Sequence, residues 1–260
     1  MDHGQGDKSV IWDGDEQFTI GPTAFRCMKV DAWFNSTAEQ FCVFKPRSTI
    51  DHYERLLAEL APAKIVELGI FRGGSTAMVA ALTDPTKLVA VELSPDRIEA
   101  LDDFIEVRGL AGRVEAHYSV DQGNRAQLAA IVDEAFGTDD LDLVFDDASH
   151  HPDLTRVSFD LLFPRVRPGG VFVIEDWRWP PLSVLILEQV LGLDAGIADI
   201  TINRHSAAIR RSDVPLDRET FALRDYVNVI SAGALDLLAS HWTPENQDAL
   251  RSAFFKPSPG

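Results

Sequence analysis

The sequence predicts an α/β fold built on a doubly wound, mostly parallel sheet, and three observations carry that prediction. Short apolar, β-branched runs alternate five times with helical stretches between residues 49 and 174. The runs at 141–145 and 171–174 are apolar apart from Asp142, as happens when helices cover both faces of a sheet. Several of them stop on glycines or acids, at the strand ends where open α/β sheets gather ligands. Residues 49–212 form the expected core. Residues 1–48 are expected to be an aromatic-rich cap and oligomer contact, and residues 213–260 a helical or irregular appendix.

The elements follow in order. Residues 1–9 are polar and glycine-rich, and loose ends have this composition. From Val10 to Phe44 come seven large aromatics (Trp12, Phe18, Phe25, Trp33, Phe34, Phe41, Phe44) without clean periodicity. Residues 49–60 place Ile50, Tyr53, Leu56, Leu57 and Leu60 at helical spacing, with Asp51 near the start to suit the helix dipole. Residues 64–68 (KIVEL) read as a buried strand, 69–74 as a tight turn, and 75–82 as a helix capped by Ser75. A second strand, 88–91, ends on Glu92, and Ser94-Pro95 opens the next helix. Residues 114–118 are a third strand, 126–136 a helix, 141–145 a fourth strand, and 154–163 a helix stopped by Pro164. Pro168-Gly169-Gly170 makes a turn needing positive φ, and 171–174 is the fifth strand. A helix at 182–191 and a hairpin from 197–202 and 207–209 close the core.

Composition narrows the partners. A formal charge of −17 disfavours nucleic acid and anionic membrane surfaces, both of which reward Lys and Arg. No apolar run approaches the ~18 residues that span a bilayer, and the first residues lack the pattern of a signal peptide. Cys27 and Cys42 are the only cysteines and sit in no metal-binding spacing, so two free thiols in a reducing cytoplasm are expected.

The turn after the first core strand has the setting of a nucleotide site, between a strand and a helix N-terminus. Glu92 lies 92 − 69 = 23 positions after Gly69, about where an acid binds ribose hydroxyls. The glycine spacing is G-x-x-x-G-G, not the G-x-G-x-x-G that admits a pyrophosphate. Glu67, just before the turn, would repel phosphates and favour a cationic ligand. S-adenosylmethionine offers a ribose, a sulfonium and an ammonium group without phosphate, and E-x-G-x-x-x-G-G resembles motif I of the class I methyltransferases. The donor set is then Glu67, Gly69, Gly73, Gly74, Ser75 and Glu92, with Ser119 and Asp121 after the third strand near the adenine or methionine end. A nicotinamide-dependent oxidoreductase is the outsider this spacing disfavours.

The fourth and fifth strands end on Asp146-Asp147 and Glu175-Asp176, with His150 and His151 beyond the first pair. Four crowded carboxylates repel one another unless a cation sits among them, so an oxygen-ligated divalent metal is expected. All-oxygen ligation suits Mg²⁺, Mn²⁺ or Ca²⁺.

Together, KIVELGIFRGGST and LDLVFDDASHH…RPGGVFVIEDWRW resemble the macrocin O-methyltransferase family, metal-dependent sugar O-methyltransferases of natural-product biosynthesis. The resemblance covers residues 64–179. It departs at Ala148, where glycine is usual, and in WRWPP after Asp176. It implies that Asp147, Glu175 and Asp176 hold the Mg²⁺-like ion and that His150 is the general base, with His151 the open alternative. Asp146 is left off the ligand set, either hydrogen-bonding the turn or standing behind the ligands. The implied acceptor is a deoxysugar hydroxyl, on a nucleotide sugar or an attached glycoside. A catechol-type O-methyltransferase and a non-catalytic S-adenosylmethionine-binding protein are the competing expectations.

Overall fold

The computed structural model describes residues 8–28, 34–176, 196–203 and 205–225. They fall into two compact units, Met1–Val120 and Asp121–Gly260.

The first unit opens with a small sheet that the sequence reading did not foresee. Strands β1 (Val10–Asp13), β2 (Gln17–Ile20), β3 (Thr23–Cys27) and β4 (Phe41–Val43) pair in that order. The first three pair antiparallel, and β3 pairs parallel with β4. The signal was a period of two: Phe18, Ile20, Thr23, Phe25 and Cys27 are all buried, and alternate strand residues share a face. Their rings form a continuous row, with Trp12, Phe18, Phe25, Phe41 and then Phe104 at centroid spacings of 4.8, 4.9, 5.9 and 5.5 Å. What reads as an aromatic cap is a small sheet whose row of rings runs on to Phe104.

Helix α1 (Arg47–Leu60) buries the five predicted apolar residues together with Thr49. It starts two residues earlier than expected, which moves Asp51 out of the first turn. Its carboxylate instead accepts from Trp12 Nε1 at 2.8 Å. Strands β5 (Lys64–Leu68), β6 (Lys87–Glu92) and β7 (Val114–Tyr118) run parallel, with β6 between the other two. Helix α2 (Gly74–Thr83) follows β5, and α3 (Glu99–Val107) follows β6. Ser94-Pro95 does not open α3, which begins four residues later. The Ser94 hydroxyl accepts from the Asp96 amide at 3.2 Å in a local turn.

In the second unit, α4 (Arg125–Phe136) is capped by Asn124, whose side chain accepts from the Gln127 amide. Strand β8 (Leu141–Asp146) leads to α5 (Pro152–Leu162) and on to β9 (Val166–Glu175), which pairs parallel with β8. The Pro-Gly-Gly turn lies inside β9 as a bulge. The register jumps from Leu141↔Val166 to Leu143↔Val171, and Gly169 takes the positive φ of 76°. The predicted hairpin is present as β10 (Ile197–Ile202) and β11 (Ser206–Arg211), antiparallel to each other and, through β11, to β9. Phe159, Phe163, Phe172 and Phe221 form an aromatic cluster in this unit. The helix expected at 182–191 lies outside the described residues, as do Trp177 and Trp179. Among the described residues, no helix is long and apolar enough to cross a membrane.

The expected fold class is the observed one: mixed, mostly parallel strands flanked by helices.

Candidate active site

In the first unit the chain leaves β5 and turns through residues 69–74 with Gly69 at φ 97° and Gly73 at φ 79°, values open to glycine at little cost. Glu92, at the end of β6, closes this turn. Its Oε2 accepts from the amides of Ile70 (3.1 Å) and Phe71 (2.8 Å), and Oε1 from that of Ser94 (3.0 Å). The acid expected to meet ribose hydroxyls therefore also holds the backbone that would cradle the ligand. A carboxylate offers about four lone-pair sites, so three amides leave room for a further donor. Phe71 is pinned at φ 51° with its ring exposed. Glu67 is buried near the end of β5.

Two donor-site expectations change locally. Ser75 does not cap α2; Gly73 occupies the N-cap position and no side chain bonds there. Gly74 is required by the protein itself, since a Cβ there would lie 1.8 Å from the Cys42 carbonyl oxygen. The close approach is between α2 and β4. Ser119 sits just past β7 at φ 60°, its amide donating to the Ser94 carbonyl at 3.2 Å. Asp121 begins the second unit and accepts from the Gly123 amide at 2.8 Å.

In the second unit Asp147, His150 and Asp176 converge. His150 Nε2 lies 3.9 Å from Asp147 Oδ1 and 3.5 Å from Asp176 Oδ2, and one donor atom from each residue falls within 4.8 Å of the others. His150 and Asp176 both adopt left-handed backbones, at φ 52° and 50°. Asp176 is anchored by its amide, which donates to the His205 carbonyl at 2.8 Å. That carbonyl belongs to a turn ordered by Asn203 Oδ1, which accepts from the His205 and Ser206 amides at 2.7 and 2.8 Å. His205, which the sequence did not single out, thus supports the cluster through its backbone.

Glu175 is not in this group. It is buried as the last residue of β9, opposite Ser206 of β11. His151 is exposed at the N-cap of α5, its carbonyl accepting from the Thr155 amide. Of the two histidines, His150 is the one beside the carboxylates.

The donor set fits a hard divalent cation. Oxygen ligands of Mg²⁺ stand about 2.0–2.1 Å from the ion, so opposite ligands lie about 4.2 Å apart, the scale of this group. Below it, Asp146 is 3% exposed. Both of its oxygens accept from Gln122 Nε2, at 2.7 and 2.6 Å, and Oδ2 also from Ser158 Oγ at 2.7 Å. Burial pushes its carboxyl up to about 6, against the pull of these donors and of the Ala148 amide. Sequence reasoning left Asp146 off the ligand set and missed Gln122 and Ser158. For Ser158, a polar position on the buried face of α5 was the available signal.

Residues 66–177 match the model of a methyltransferase domain. Mycinamicin VI 2''-O-methyltransferase of Micromonospora griseorubida is 57% identical over 101 residues, which is 34% of this chain and 24% of that protein. Demethylmacrocin O-methyltransferase of Streptomyces fradiae is 57% identical over 42 residues, 15% of this chain and 11% of that one. The chain is thus similar to a methyltransferase domain over residues 66–177 and to these two O-methyltransferases over shorter stretches. It spans no more than about a quarter of the length of these two curated relatives. Among solved structures, the MycE methyltransferase from the mycinamycin biosynthetic pathway, in complex with Mg and SAH, superposes with a TM-score of 0.50. It is 24% identical and covers 62% of this chain and 49% of its own. That likeness concerns the fold alone, a mostly parallel sheet flanked by helices.

Proposed function

We propose that this protein transfers the methyl group of S-adenosylmethionine to a sugar hydroxyl, on a nucleotide-activated deoxysugar or an attached glycoside, with a Mg²⁺-like cation at the Asp147–Asp176 cluster. The observation that carries the reading is the convergence of Asp147, His150 and Asp176 within 4.8 Å. Asp147 and Asp176 supply oxygen ligands, and the family pattern adds Glu175. Mn²⁺ and Ca²⁺ suit the same donors.

When bound, S-adenosylmethionine supplies a methyl group on cationic sulfur and the dication lowers the pKa of a coordinated hydroxyl by many units. The chain's residues do the rest. Glu67 faces the donor's positive charge, and Glu92 orders the turn and offers its remaining lone pair to a ribose hydroxyl. His150 Nε2 takes the acceptor's proton, the role imidazole fills at neutral pH. Asp176 Oδ2, 3.5 Å away, stabilises the imidazolium that results. Methyl transfer is an in-line displacement, so holding donor and acceptor in register supplies much of the remaining rate.

The test is ¹³C-methyl S-adenosylmethionine incubated with Mg²⁺ and a panel of nucleotide deoxysugars, glycosides and aromatic diols, read by NMR. A labelled sugar ether is expected, lost with EDTA and restored by Mg²⁺. His150→Ala is expected to lower kcat by about 10²–10⁴-fold without changing donor affinity, and Asp176→Asn to raise the Mg²⁺ requirement. Undiminished turnover in EDTA and in Asp176→Asn would sink the metal reading, and preference for the diols would replace the sugar acceptor.

A further inference from the structure

We infer that Asp146, gripped by Gln122 and Ser158, is a positioning residue that sets Asp147 and His150 in place; the inference deepens the methyl-transfer reading and rests on it. The grip is a closed ring of three side chains drawn from the segment before α4, the end of β8, and α5. Their exposures are 5% for Gln122, 3% for Asp146 and 0% for Ser158. Gln122 Nε2 has two hydrogens. One serves the Asp146 carboxylate and the other Ser158 Oγ at 3.0 Å, while Ser158 Oγ lies within donating distance of Asp146 Oδ2 at 2.7 Å and of the Thr155 carbonyl at 2.9 Å. Every donor in the ring is used.

The Ala148 amide also donates to the Asp146 carboxylate. That bond folds residues 146–148 into a tight turn. It fixes the exit direction of Asp147 and, three residues on, of His150 at φ 52°. A histidine persists in that sparsely populated region only where its surroundings over-determine it. An apolar residue at 146 would fill the space without the cost of desolvating a carboxylate, but it could not accept from Ala148. The buried acid is thus suited to orienting the loop above it rather than to filling volume.

The experiment compares Ser158→Ala, the shape-preserving Gln122→Met, and Phe221→Leu, a buried change in the same unit outside the ring. Hydrogen–deuterium exchange follows the peptide containing residues 147–151, and calorimetry follows Mn²⁺ and S-adenosylmethionine separately. In both ring variants, exchange of the Ala148 amide is expected to quicken and Mn²⁺ affinity to fall about tenfold, as losses behind metal ligands do, with donor affinity unchanged. Phe221→Leu should lower Tm and move neither readout. The reciprocal pair Gln122→Glu with Asp146→Asn, which exchanges donor for acceptor, should recover most of both losses. Unchanged exchange in the ring variants, or equal changes in Phe221→Leu, overturns the inference. Should the wild type bind no Mn²⁺, the metal reading falls, and the exchange arm alone still supports or overturns the brace.

Discussion

After β5 the chain turns with two backbone amides tied to Glu92, and after β8 it turns with Asp146 drawn beneath it and Asp147 and His150 left above. Both turns use an acid at the end of a parallel strand as a brace. They differ in what is left for a ligand. Residues 69–74 present backbone, glycines and one half-buried acid whose oxygens are mostly spent on amides. Residues 147–150, with Asp176, present side chains whose heads remain accessible. Backbone suits a large, flat, many-handled ligand approached closely. Displayed carboxylates suit a small cation and a proton.

That difference can be broken by substitution. The largest effect is expected at Gly74, where a Cβ would collide with the Cys42 carbonyl. Gly74→Ala should cost more than about 3 kcal/mol, beyond ordinary overpacking, and lower Tm by thermal denaturation. An equal loss from Ala148→Gly would erase the contrast between the turns.

A smaller effect concerns the two braces. Asp146 titrates near 6 in the fold, raised by burial, against about 3.9 when unfolded. The folded state thus holds more protons between these values. The stability from this group is complete below about 4 and is lost as pH rises through about 6. In urea melts from pH 4 to 7, Asp146→Asn should remove a downward slope of about 1–3 kcal/mol. Slopes that coincide in the two proteins would mean the acid is not buried as described.

The smallest change is expected for Glu92→Gln, which weakens three amide bonds to a charged acceptor without emptying the space. It should cost about 1–2 kcal/mol and weaken S-adenosylmethionine binding in calorimetry. Weakened Mn²⁺ binding in the same variant would blur the division between the turns.

Much of this was legible in the sequence because burial on both faces leaves an unmistakable mark. The runs KIVEL, LVAV and VFVI needed no context to be read as strands. The N-terminal sheet was harder, since its strands are three to five residues long and its aromatics mask the alternation. At the site, the proximity of Asp147, His150 and Asp176 was legible because strand ends bring distant acids together. Glu175, the last residue of β9, is buried and is not one of the three that converge. Gln122 was out of reach, because its partner is 24 residues away and nothing local marks the contact.

His150 and Asp176 both occupy backbone conformations that glycine enters freely and other residues enter reluctantly. Replacing either with glycine would relax the chain while deleting a donor atom, so stability and chemistry pull in opposite directions at these two positions. On the proposed reading, selection for heat resistance alone would drift toward an inert protein, and loop libraries should hold both residues constant.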